Sequence, residues 1–167
     1  MNILLIFFIA ASSPTLPASD SILVKFDSES AQWASPPSGF SAGEFDFGED
    51  DERAGKFAFV RYDLSGDGKE EYFLRALCGN GGCEYGIYDG KTLQQIGDIF
   101  GSPVWIRSTI IKKLPVIESY NHMSAAYGLL TRYEFDGNQY QRVSSDSISG
   151  APVDSVFRIL KGVLMLK

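Results

Sequence analysis

The sequence predicts an all-β fold: a mostly antiparallel meander of about eight to ten short strands, forming a small sandwich or two blade-like sheets. Three observations carry that expectation. Apolar runs are short and are interrupted by Gly, Pro, Asn and Asp, the residues turns require. Tyr127, Leu129, Thr131, Tyr133 and Phe135 share one face of a segment whose other face carries Arg132 and Glu134. That is the period-two pattern of a strand buried on one side. Asp136-Gly137 then supplies a turn, and Asn138 to Val143 leads back, a strong hairpin signal.

Taken in order, residues 1–18 are uncharged and hold the run Ile3 to Ala11. A stretch of about nine apolar residues falls short of the roughly 20 needed to cross a bilayer. With small residues after it, the run reads as a secretory signal peptide cut near Ala18, placing the chain in the periplasm or outside the cell. The competing reading is an apolar N-terminal strand retained in the fold. Residues 19–167 are then one β domain, long enough for a sizeable core and not membrane-spanning once the leader is removed. Ile22 to Phe26 is the first strand candidate, and Pro36-Pro37 marks a connecting loop. Glu49 to Glu52 is a solvated acidic loop or a second cation site.

Phe57 to Tyr62 and Tyr72 to Leu77 read as strands, being rich in aromatics and lacking helix caps. Both cysteines lie in Cys78-Gly79-Asn80-Gly81-Gly82-Cys83, and the spacing fits a disulfide across a hairpin turn. Export favours its closure. Leu93 to Phe100, Val104 to Ile106, Thr109 to Lys112 and Pro115 to Tyr120 continue the series of strand candidates. Tyr88-Asp89-Gly90 and Phe135-Asp136-Gly137 resemble equivalent corners of two degenerate repeats about 47 residues apart. In the tail, Pro152 to Gly162 has the spacing of a short C-terminal helix, and Val163 to Leu166 reads as a final strand.

The chemistry concentrates in Asp63-Leu64-Ser65-Gly66-Asp67-Gly68-Lys69-Glu70-Glu71. Oxygen-bearing side chains stand at its first, third, fifth and ninth places, with Gly68 at the sixth. Ca²⁺ takes about six to eight oxygens at about 2.3–2.6 Å, so a short loop must turn alternate side chains inward while its backbone reverses. Gly68 permits that reversal. Asp63, Ser65, Asp67 and Glu71 are the candidate side-chain ligands, and Lys69 offers a backbone carbonyl. An EF-hand is excluded, because the twelfth residue is Leu74 and both flanks are strands.

Strand, D-x-S-x-D-G-x-x-E, strand resembles the calcium-binding FG-GAP repeats of integrin alpha-chain propellers and related secreted bacterial domains, over residues 57 to about 100. That resemblance implies a Ca²⁺ ion rigidifying a strand connection. Ser65 stands where Asp or Asn is usual, and Glu71 where Asp is usual. The chain is too short for a complete propeller.

The formal charge of −6 and the lack of a basic cluster argue against nucleic acid, whose phosphates need several positive contacts. His122, the single histidine, has no G-x-S-x-G elbow to serve, and is expected in a loop. Tyr62, Tyr72, Tyr85, Tyr88, Tyr127 and Tyr133 either fill the β core or form a carbohydrate-stacking platform. The resulting expectation is an exported, non-enzymatic calcium-binding domain that offers a rigid surface to a protein or glycan of the envelope or extracellular space. The rival readings are a secreted hydrolase or carbohydrate-active protein, and an inhibitor of an extracellular enzyme.

Overall fold

The computed structural model describes residues 21–24, 32–34 and 57–149. The expected signal segment, the Pro36-Pro37 loop, the Glu49 to Glu52 cluster and the expected C-terminal helix and strand lie outside the described residues. Ten strands follow in order: β1 (Ser21–Val24), β2 (Gln32–Ala34), β3 (Phe57–Tyr62), β4 (Glu71–Gly79), β5 (Gly82–Tyr88), β6 (Gln95–Gly101), β7 (Val104–Ile111), β8 (Leu114–His122), β9 (Tyr127–Phe135) and β10 (Tyr140–Ser149). Among the described residues there is no helix. The strands form two five-stranded sheets, in the orders β2-β3-β4-β5-β6 and β1-β7-β8-β9-β10. Every pairing is antiparallel.

Each sheet is a four-stranded meander completed by one strand from earlier in the chain. The meanders β3–β6 and β7–β10 correspond strand for strand, so the two Asp-Gly corners occupy equivalent hairpins. Their hydrogen bonding matches as well. Asp89 Oδ1 accepts the amides of Lys91 and Thr92 at 3.0 and 2.6 Å. Asp136 Oδ1 accepts those of Asn138 and Gln139 at 2.8 and 2.9 Å. An aspartate at such a corner closes the turn with its own side chain, which is why both corners keep that residue.

One core lies between the sheets. Val60, Phe73, Ile87 and Ile99 come from the first; Val104, Ile106, Ile117, Tyr133 and Tyr140 come from the second. Burying a side chain of this size contributes about 1.5–3 kcal/mol. Tyr85, Tyr88 and Tyr133 are buried, so three of the six tyrosines singled out in the sequence fill the interior, whereas Tyr127 is 41% exposed. Strand β8 is buried on both faces, since Val116 and Tyr120 are as inaccessible as Ile117 and Ser119. On the Tyr120 face of this sheet, Glu118 receives a hydrogen bond from Arg107 at 2.9 Å and lies 3.8 Å from Arg132.

The structure corrects three local expectations. The runs at Val104 and Thr109 are one strand, β7, with a register irregularity between Ile106 and Ile110 that absorbs the polar residues separating them. Leu93 and Gln94 belong to the turn: Leu93 donates its amide to Asp89 O at 2.9 Å and has φ 58°, so β6 starts at Gln95. His122 closes strand β8 instead of lying in a loop, because its amide is held by Gly81 O at 2.9 Å.

The disulfide joins Cys78 and Cys83, whose Cα atoms are 4.0 Å apart and face each other across β4 and β5. Asn80 and Gly81 make the two-residue turn between the strands. The ring is small, so in the loop-entropy model closure is worth about 2 kcal/mol. Cys78→Ser/Cys83→Ser is accordingly expected to lower unfolding free energy by about 2 kcal/mol in urea titration, with the far-ultraviolet β signal retained. A loss within error of zero would show that the turn alone sets the register.

Candidate metal loop

Tyr62 pairs with Glu71, so residues 63–70 form the connection between β3 and β4. Leu64 anchors the start of this connection by packing into the core. The backbone then reverses through two left-handed residues, Gly66 at φ 73° and Gly68 at φ 82°. A Cβ at either place would meet nothing within 4 Å, so dihedral angle and not crowding demands glycine there.

The oxygen-bearing side chains turn back onto the loop backbone. Asp63 accepts the amides of Gly66 and Gly68 at 2.8 and 2.9 Å. Ser65 Oγ accepts that of Asp67 at 3.3 Å, and Asp67 accepts that of Lys69 at 2.9 Å. Lys69 is exposed. Glu71 differs from the rest in being buried, at 4% exposure, and its Oε2 accepts the amide of Leu64 at 2.7 Å.

Burial raises the Glu71 carboxyl above its ordinary pKa, against the lowering effect of the Leu64 amide and its own amide. The negative charges of Asp63 and Asp89 push in the same direction as burial. The structure therefore brings Asp63 and Glu71 within electrostatic reach of each other and adds Asp89, which lies outside the sequence motif. Asp89 itself is partly desolvated, but the Thr92 amide and hydroxyl and the Lys91 amide hold its pKa below the usual value. Its turn sits directly on the loop: a Cβ on Gly90 would run into the Glu70 carbonyl. The sequence signal that could have found Asp89 is its Asp-Gly corner, but nothing in a single sequence places that corner beside Glu70. Among the described residues, no three His, Cys, Asp or Glu side chains gather into a group able to hold a metal ion.

Glu118 and His122 lie on strand β8 of the other sheet. Glu118 is committed to Arg107 and Arg132, and the centroid of the His122 ring is 6.5 Å from that of Tyr120. Both cysteines are oxidised, leaving no thiolate nucleophile.

Glu71→Ala would strand the buried Leu64 amide, at an expected cost of about 1–3 kcal/mol in chemical denaturation of metal-free protein. Glu71→Gln keeps an acceptor oxygen and removes the buried charge, so its expected cost is under about 1 kcal/mol. Equal losses in the two variants would mean that the charge, and not the hydrogen bond, holds the loop.

No helix among the described residues is long and apolar enough to cross a membrane. No protein-family model, curated protein or solved structure matches the chain.

Proposed function

We propose that the chain is an exported, non-enzymatic calcium-binding β domain, periplasmic or secreted, that presents a rigid surface to a protein or glycan. The observation that carries this reading is the β3–β4 loop. Its oxygen-bearing residues alternate along the sequence in the pattern a hard cation uses, its backbone reverses through Gly66 and Gly68, and a carboxylate with a raised pKa is buried at its end. Asp63 and Glu71 would hold the ion together with Ser65, Asp67 and the Lys69 carbonyl. The donor set is all oxygen and rich in carboxylate, which suits Ca²⁺ and not a soft metal. A bound divalent ion would offset the repulsion among Glu71, Asp63 and Asp89, and so fix where β3 meets β4.

A ligand that binds only the folded state stabilises it by mass action, by about 2.7 kcal/mol at a hundredfold excess over Kd. Melting temperature is thus expected to rise by several degrees between chelator and millimolar Ca²⁺, and isothermal titration should show one site. Asp67→Ala should abolish both effects while leaving the chelator melting point nearly unchanged, because Asp67 is exposed. A melting point indifferent to Ca²⁺ in the unaltered protein would sink the calcium reading.

A further inference from the structure

The two sheets end on the same side of the sandwich in β6 and β10, which are edge strands among the described residues. The strands approach closely at one point, where a Cβ on Gly97 would come within 2.9 Å of Tyr140 Cβ. Around that contact lie two hollows, of about 450 and 270 Å³. They share Asp98, Tyr133 and Arg142, and so adjoin as parts of one groove. The larger is within the range of small-molecule sites, about 300–1,000 Å³.

The hydrogen-bonding groups of this groove are largely unspent. Neither the Asp98 carboxylate nor the Arg142 guanidinium has an ion pair or hydrogen bond among the described residues. Gln139 contributes an amide side chain that is likewise uncommitted. Gln95 and Gln141 each use their amide nitrogen locally, towards Gly97 O and Asp136, which leaves their amide oxygens as acceptors. Phe100 lines the smaller hollow and is 41% exposed.

We propose that the groove between β6 and β10 binds an uncharged sugar, with Asp98, Arg142 and the glutamine amides on its hydroxyls and Phe100 against a ring face. This names the ligand class for the binding role argued above and rests on that role, but it does not depend on the metal. Two acids, Glu84 and Asp98, and one base, Arg142, line the groove, a balance that selects against an anionic ligand. Planar carboxylate, guanidinium and amide groups match pairs of neighbouring hydroxyls, and an aromatic face suits the apolar face of a pyranose. An added peptide strand would need the outward backbone groups of β6. At Phe100 these are already taken: its amide by the Tyr133 hydroxyl at 3.2 Å, its carbonyl by Ser119 Oγ at 2.6 Å.

The test is isothermal titration of the full chain with tetrasaccharides of glucose, xylose and N-acetylglucosamine, and with a mixture of ten-residue peptides, in Ca²⁺ and in chelator. At least one sugar is expected to bind, in both conditions. Asp98→Asn, Arg142→Ala and Phe100→Ala should each weaken it about tenfold, whereas Asp146→Asn, exposed elsewhere on β10, should not. Nuclear magnetic resonance shifts confined to β6 and β10 would locate the ligand independently of the variants. Sugar binding that survives chelator stands whatever the Ca²⁺ titration returns. The inference is overturned if none of the three sugars binds, if the groove variants bind as tightly as the unaltered chain, or if only the peptides bind.

Discussion

The fold turns on one corner. At Gly101-Ser102-Pro103 the chain leaves the first sheet and enters the second, and both meanders depend on that transfer. Ser102 donates its amide to Tyr120 O at 2.6 Å, and Tyr120 returns its own amide to Pro103 O at 3.0 Å. Gly101 has φ 137°, and a Cβ there would press on Tyr120 O at 2.7 Å and Ser119 Oγ at 2.9 Å. No other residue fits so close a passage. With the corner fixed, β6 is pinned to the second sheet through Tyr133 and Ser119, and the two apolar faces close on a common core.

The acidic loop and the groove are connected through the same half of the molecule. The loop abuts the β5–β6 turn at Gly90, and that turn leads directly into Gln95 on the groove wall. Asp89 stands at the junction, sensed electrostatically by Glu71 and holding the turn through Lys91 and Thr92. The β5–β6 turn therefore touches the acidic loop at one end and meets a wall of the groove at the other.

The strands were largely legible because burial on one face leaves a period-two trace, as in Tyr127 to Phe135, and because Asp-Gly and Asn-Gly turns carry their own chemistry. The alignment of Asp89 with Asp136 was legible for the same reason. Strand β7 was harder: Arg107 belongs to the ion-paired group around Glu118, so a polar residue in mid-strand looked like an interruption. The loop ligands could be read as a linear pattern, whereas the burial of Glu71 and the nearness of Asp89 arise from tertiary packing. The groove left no sequence trace at all. Its walls come from two edge strands that are far apart in the chain, and none of Asp98, Gln139 or Arg142 belongs to a motif.

The corresponding connections of the two meanders differ in length and in charge. Where the first has its long acidic loop, the second has the tight Lys112-Lys113 turn, with φ values of 46° and 89°. Lys112 Nζ reaches Asp136 O at 2.8 Å, and so ties this turn to the neighbouring Asp-Gly corner with an ammonium group carried by the chain itself. That tether is covalent property of the polypeptide and cannot be diluted away or sequestered. The second meander thus meets its corner with a cation built into the chain, where the first sets acidic side chains against one another.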